Sequence, residues 1–220
     1  MSALLIDPAV QRLHQLAWRP GAWMHEAWWV RLDLEPWRKS YLNRPACRAS
    51  LDRLIVARRC FPSQPLPGTL DTEERRLVEL EPRFPSLIAA LGLVALACVD
   101  HLLLKPHREA LAPLVSAVAC DQMLALHDGW ALHAIRLAPN VLAQAALSAG
   151  THWWRRDMNR SIVGILLASL LPPDVQTDVQ TDVQADVQAD VQADVQADLQ
   201  APAAPYGCAM ERILKLARYL

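Results

Sequence analysis

Apolar residues recur at helical spacing along most of this chain, and proline or glycine marks where the predicted helices stop. The pair Asp7-Pro8 favours a helix start, because aspartate can accept a hydrogen bond at the N-cap and proline fits the first helical position. Apolar residues then follow at the spacing of one helix face, namely Val10, Leu13, Leu16 and Ala17. Arg19-Pro20-Gly21 should end this helix.

The most apolar part of the chain predicts two buried helices, over Leu87–Leu104 and Arg108–Leu126. Because the first is apolar on nearly every side, we expect it at the centre of the fold, adjacent to the second. Its longest apolar run, Leu87–Val99, has 13 residues. A bilayer-spanning helix needs about 20. We therefore expect a core helix and no direct membrane insertion.

Weaker patterns surround this apolar centre. Residues 41–59 read as a short amphipathic helix, and residues 60–72 as a loop punctuated by prolines. Asp71 or Thr72 should cap a further helix that runs to about Leu80.

The second half of the chain contains three more predicted helices. Asn140 can cap one over 141–149 that ends at Gly150, and another covers Ser161–Leu171. Residues 209–220 read as an amphipathic helix whose apolar positions lie on or near one face: Met210, Ile213, Leu214 and Leu216. With only 7 glycines in 220 residues, the sequence predicts an all-α, mostly helical protein.

A four-residue repeat interrupts the pattern before the last helix. Residues 174–200 contain seven copies of Asp-Val/Leu-Gln, separated by Ala or Thr. On an α-helix a four-residue step rotates each stripe by about 40° per repeat, so the segment has no fixed apolar face. The chain is therefore divided into a helical globular domain over 1–173, a low-complexity insertion over 174–200 and a C-terminal helical segment over 201–220.

Charge separates the repeat from the rest of the chain. The repeat holds seven aspartates and no lysine or arginine, and the remainder has 22 basic and 16 acidic residues. The first 60 residues carry ten of these basic side chains. Because these charges are scattered rather than clustered, an acidic protein partner is favoured and no nucleic-acid partner is expected.

Five of the eight tryptophans lie between Trp18 and Trp37. Trp residues are usually buried, but together with Arg they also dominate protein interfaces. We expect at least one exposed anchor in this segment, and the candidate protein-binding residues are Trp23, Trp28, Trp29, Arg31 and Arg38. If the tryptophans are instead core residues, the alternative interface is the basic last helix around Arg212, Lys215 and Arg218.

Candidate chemistry is sparse. The seven histidines lack metal-site spacing, although folding could bring His101, His107 and Cys120 together. The sequence contains no nucleotide-binding glycine loop and no nucleophile elbow. We expect no catalytic residues, no cofactor and no bound metal. The absence of a secretory signal pattern at the N-terminus, together with five cysteines in no motif, favours a cytoplasmic protein.

Three stretches carry a family resemblance. Residues 16–25, LAWRPGAWMH, are similar to the early Pro, small, Ala, aromatic, aliphatic, His sequence of the SctK (YscK/PscK) family, a cytoplasmic sorting-platform protein of bacterial type III secretion systems. Leu91-Gly92-Leu93-Val94 opens an apolar helix and is followed by the basic-acidic segment at 107–109. The Ala- and Leu-rich region to about residue 171 and the short basic C-terminal helix complete the match, and the repeat departs from it.

The resemblance implies a non-enzymatic adaptor of the injectisome. Such a protein lies in the cytoplasm, peripheral to the inner-membrane apparatus. It links the ring protein SctD to the pod protein SctQ, which contacts the stator SctL and the ATPase SctN. Two other classes remain open: a helical secretion chaperone or regulator that holds an export substrate, and a small helical enzyme or metal protein.

Overall fold

A computed structural model describes residues 7–61, 65–127, 129–131, 134, 136–173 and 208–218. These residues contain helices and no strand, so the predicted all-α fold is confirmed. The helices are α1 Pro8–Trp18, α2 Ala27–Arg31, α3 Glu35–Asn43, α4 Pro45–Arg59, α5 Thr72–Glu79, α6 Phe84–Leu96, α7 Asp100–Leu103, α8 Lys105–Leu111, α9 Ala117–Leu126, α10 Pro139–Met158, α11 Ile162–Ala168 and α12 Ala209–Leu216.

Two predicted helix starts are confirmed by their capping contacts. Asp7 Oδ1 accepts a hydrogen bond from the Ala9 N–H at 2.9 Å, with Pro8 in the first helical position. At α5, Asp71 accepts from the N–H groups of residues 73 and 74, and the Glu74 carboxylate accepts from the Asp71 N–H. This reciprocal capping box fixes where α5 begins.

Helix α6 is the centre of the main core, as its apolar character predicts, and its most extensive contact is with α10. Residues 87–94 of α6 are all buried. Phe84, at its first turn, packs edge-on against Trp154 of α10 with ring centroids 5.0 Å apart. Helices α1, α5, α11 and α12 add apolar side chains to the same core.

Both long predicted helices are interrupted. Instead of one helix over Leu87–Leu104, α6 ends at Leu96 and Ala97 adopts a left-handed conformation with φ 52°. Helix α7 follows after a short turn. The segment Arg108–Leu126 divides into α8 and α9, because α9 starts anew at Ser116, whose hydroxyl accepts the Ala119 N–H.

Three other predicted boundaries are wrong. The helix expected over 141–149 runs through Gly150 to Met158, and Asn140 lies inside it rather than at its cap. Gly150 is small enough for close packing against α6, so it serves the helix interior instead of ending it. The helix expected over 41–59 is two helices, α3 and α4, divided at Arg44.

Helix α12 confirms the amphipathic pattern of the C-terminus. Ile213 is fully buried, and the other predicted apolar positions are partly buried against the main core. The helix packs on α5, α6 and α10, and its Ala209 N–H donates to Asp157 Oδ2 of α10 at 3.0 Å. The repeat over 174–200 lies outside the described residues, so the predicted domain division stays a prediction.

Candidate protein-binding surface

Helices α2, α3 and α4 form a second, smaller core, and part of the tryptophan-rich segment at residues 18–37 belongs to it. Its buried residues are Met24, Trp29, Leu34, Tyr41, Leu51 and Ile55. Trp29 is only 3% exposed, and its ring lies 5.3 Å from that of Tyr41. Of the three candidate anchors, Trp29 is therefore a core residue and not an exposed one.

The turn between α1 and α2 is held by a buried carboxylate. Asp52 of α4 accepts the Gly21 N–H at 3.0 Å and the Tyr41 hydroxyl at 3.1 Å. A Cβ on Gly21 would lie 2.7 Å from the Tyr41 ring, so only glycine fits this approach. Burial raises the pKa of Asp52, while the two hydrogen bonds act in the opposite direction. The turn is thus fixed to α3 and α4.

Trp23 emerges from this fixed turn with 39% of its surface exposed. The Arg12 guanidinium lies 3.7 Å from the centroid of the indole ring, within cation–π distance. Arg12 is itself held by Glu81 through two hydrogen bonds of 3.0 and 2.9 Å. Trp23 is therefore an ordered aromatic side chain that remains accessible, as an interface anchor requires.

Trp28 has a different position from the one predicted. It is half-buried, and its Nε1–H donates to the Leu171 carbonyl at 2.9 Å. The Arg59 guanidinium lies 4.8 Å from its ring centroid. Burial, and secondarily the charge of Arg155, lower the pKa of Arg59 to about 10. Trp28 thus connects the second core to the residues that follow α11. Because its ring is half-buried, it is a poor candidate for an exposed residue at a protein interface.

The two candidate arginines lie at the outer edge of the segment. Arg31 is exposed at the end of α2, and Arg38 of α3 pairs with Glu26 at 2.7 Å. Two tryptophans that were not among the predicted binding residues are more exposed than the three that were. They are Trp18, 53% exposed, and Trp37, 55% exposed. Trp18 is the last residue of α1, and this position at a helix end could have indicated its exposure.

The structure brings together His101 and His107, two of the residues that the sequence offered as possible metal ligands. The rings of His101 and His107 lie 5.6 Å apart and bind the same backbone residue. Leu137 donates its N–H to His101 Nε2 at 3.0 Å, and its carbonyl accepts from His107 Nε2 at 2.8 Å. Across the described residues, no group of three or more His, Cys, Asp or Glu side chains could hold a metal ion. The two histidines therefore hold the backbone of Leu137, just before α10, in place.

None of the described helices combines the length and the apolar character needed to cross a membrane. Residues 11–173 match the model of a protein family described as type III secretion system subunit. The matched region covers most of the chain, including the turn at Gly21 and helices α2 to α11. Comparison with curated proteins gives no significant match. Comparison with solved structures gives none either. This protein is a member of the type III secretion system subunit family.

Proposed function

We propose that this protein is an SctK-type adaptor of the cytoplasmic sorting platform. In this role it binds the cytoplasmic domain of the ring protein SctD and the pod protein SctQ. Through SctQ it holds the stator SctL and the ATPase SctN at the inner-membrane apparatus. Family membership supports a place in the secretion apparatus. The similarity of residues 16–25 to the SctK family supports this particular subunit.

The observation that carries the proposal is the exposed tryptophan turn between α1 and α2. Trp18 and Trp23 flank Pro20 and Gly21, and both are exposed although Trp is normally buried. The Asp52 contact fixes the turn, so little conformational freedom is lost when a partner binds it. The family resemblance falls on this same stretch, which therefore combines an interface-type surface with the most specific part of the sequence.

A non-enzymatic role agrees with the contacts of three buried ionisable groups, because each of them makes a hydrogen bond within the fold. Asp52 holds the Gly21 turn, Tyr41 donates to Asp52, and His101 holds the Leu137 backbone. Shifted pKa values often mark catalytic groups, but burial in structural contacts shifts them as well. Each of these three groups has a packing role that accounts for its position.

Pairwise binding tests the proposal. The purified protein is titrated with the SctD cytoplasmic domain and with SctQ of the same secretion system, using wild type and Trp23→Ala. Trp23→Ala should weaken at least one partner by about thirtyfold, corresponding to about 2 kcal/mol. Leu103→Ala is the control, because Leu103 is 56% exposed on α7, outside the tryptophan turn.

Three outcomes decide between the functions. Binding of both partners, with a loss confined to Trp23→Ala, supports the adaptor. Binding of neither partner contradicts it. Binding of a single export substrate, in place of SctD and SctQ, would identify the protein as a secretion chaperone or regulator.

A further inference from the structure

The hairpin of helices α3 and α4 is the most strongly charged part of the described chain. Residues 35–59 contain seven basic and two acidic side chains, a net charge of +5. One of the two acids, Asp52, is buried and engaged with the Gly21 turn. The outer surface of the hairpin therefore has Glu35 as its only acidic residue.

Part of this positive charge serves the fold. Arg48 donates to the carbonyls of Tyr41 and Leu42 at the end of α3, and Arg58 donates to carbonyls of the loop before α3. Arg38 pairs with Glu26. Arg59 lies against the Trp28 ring, 4.8 Å from its centroid. These four arginines have contacts that explain them without a partner protein.

The remaining cations have no such explanation. Lys39, Arg44 and Arg53 are exposed, and no ion pair joins them to any other described residue. They lie on α3, at the junction of the two helices, and on α4. Like charges on one hairpin repel each other, so the arrangement is more favourable when an anionic partner is present.

Two exposed leucines lie on the same hairpin as these cations. Leu54 of α4 is 38% exposed and Leu42 of α3 is 58% exposed. Leu54 is next to Arg53 in the chain, and its neighbours on the exposed face of α4 are Ser50 and Ala57. The face of a helix directed to solvent is normally polar or charged. An exposed face with leucine, alanine and arginine fits a protein contact better than it fits bulk water.

We propose that the outer face of the α3–α4 hairpin, formed by Lys39, Leu42, Arg44, Arg53 and Leu54, binds an acidic amphipathic helix of a partner protein. Leucines on the partner would cover Leu42 and Leu54, and its carboxylates would pair with the three cations. Helix α4 has 15 residues and is about 22 Å long, which matches a partner helix of about four turns.

The hairpin face is distinct from the Trp18–Trp23 turn, and the chemistry of its partner does not depend on which secretion protein supplies the helix. An adaptor that joins two partners needs two surfaces. The tryptophan turn provides an aromatic one, and the hairpin provides a basic one whose association should be steered by charge.

A synthetic probe tests the surface without assuming a natural partner. The probe is a fluorescent amphipathic helical peptide with leucine on one face and glutamate on the other. A peptide with lysine in place of glutamate is the charge control. Fluorescence anisotropy measures binding to full-length protein that is wild type, Lys39→Glu/Arg53→Glu, Leu54→Ser or Arg160→Glu. Arg160 is an exposed arginine after α10 and serves as the matched control.

We expect the glutamate peptide to bind the wild type and the lysine peptide not to bind. Its Kd should rise at least tenfold in Lys39→Glu/Arg53→Glu and at least threefold in Leu54→Ser, and it should increase with salt. Arg160→Glu should stay within twofold of wild type, and all variants should keep the wild-type melting transition. Equal affinity for the two peptides, or an equal loss in Arg160→Glu and in the double variant, overturns the proposal.

Deletion of residues 174–200 identifies the occupant. If a partner helix is the natural ligand, the deletion leaves the peptide affinity within twofold of wild type. A tenfold gain on deletion would mean that the aspartate repeat of this chain competes for the hairpin, and the partner-helix proposal would be wrong. Because SctD and SctQ are absent from this assay, its failure and the failure of the adaptor proposal are distinguishable.

Discussion

Gly92 of α6 and Gly150 of α10 bring the backbones of the two central helices into direct contact. A Cβ on Gly92 would lie 1.7 Å from the Ala146 carbonyl oxygen and 2.8 Å from the Gly150 nitrogen. A Cβ on Gly150 would lie 1.9 Å from the Ile88 carbonyl oxygen. Neither position has room for a side chain, so the spacing of the main core depends on both glycines.

Gly92→Ala and Gly150→Ala should each destabilise the protein strongly. Backbone atoms cannot yield as a flexible side chain can, so the two helices must move apart. We expect each substitution to lower the free energy of unfolding by at least about 2 kcal/mol, measured by urea denaturation. Gly68→Ala is the control, since nothing lies within 4 Å of its added Cβ, and it should change stability by less than about 0.5 kcal/mol. Equal stability of all three variants would contradict the close packing.

The boundaries that sequence reasoning missed have one physical origin, which is tertiary packing. A glycine in this sequence context is typical of a helix end. Gly150 instead lies inside α10, where the absence of a side chain allows the backbone of α6 to approach. Ala97 gives no local sign of a break, and it nevertheless takes a left-handed conformation while its carbonyl accepts the Ala131 N–H. The cap at Asp7 was predicted correctly, and Asp71 was one of the two residues predicted to cap α5, because capping is a local interaction.

The candidate surface was predictable to a similar degree. The density of tryptophans indicated that some of them lie exposed, and Trp18, Trp23 and Trp37 do. The sequence could not indicate that Trp29 is buried against Tyr41 or that Trp28 binds the Leu171 carbonyl, because those partners are fixed by the fold. The proposed hairpin face could not be derived from the sequence, because the sequence predicted one helix over 41–59 where the structure has two helices that pack on each other.

Replacement of Trp29 should destabilise the protein far more than replacement of Trp23. Trp29→Ala removes a buried side chain from a small core and should cost about 3–5 kcal/mol. Trp23→Ala removes a half-exposed ring and one cation–π contact with Arg12, and should cost about 1 kcal/mol. Chemical denaturation of both variants measures the difference. Equal costs would show that Trp23 is part of the core and is not available to a partner.

Stability should fall in mild acid because of His101. Burial, and secondarily the charge of His107, lower the pKa of His101 to about 4. An unfolded histidine has a pKa of about 6.5, so the unfolded state binds more protons as pH falls from about 6.5 to about 4. The protein should lose about 1–3 kcal/mol of stability across that window and none from this group above it.

The matched variants for this effect are His101→Gln and His152→Gln. Glutamine can still accept the Leu137 N–H but cannot become charged, so His101→Gln should lose less stability between pH 7 and pH 4.5 than wild type. His152 is exposed, and its replacement should leave the pH profile unchanged. A wild-type profile in His101→Gln would place the acid sensitivity elsewhere.

Deletion of the aspartate repeat should leave the globular part folded and partner binding largely intact. The chain is held on both sides of the repeat by side chains two residues apart on α10: Arg155 donates to the Pro172 carbonyl at 2.6 Å, and Asp157 accepts the Ala209 N–H at 3.0 Å. Without residues 174–200, the seven residues 201–207 can still span about 23 Å. Helix α12 can therefore keep its position on the core.

Circular dichroism and thermal melting of the deletion variant check this expectation. The transition should remain cooperative, with a Tm within about 3 °C of wild type. Loss of solubility or a broad, noncooperative transition would show that the repeat contributes to the folded structure. Wild-type protein measured at equal concentration is the reference.

We propose that this protein joins two proteins of the secretion apparatus at once. The direct measurement is capture of SctQ on immobilised SctD cytoplasmic domain, with and without this protein. We expect SctQ to be captured only when the wild-type protein is present, and capture to fall strongly with Trp23→Ala while Leu103→Ala behaves as wild type. Capture of SctQ that is equal with and without the protein, or absent in both cases while the purified protein is folded, would contradict the adaptor.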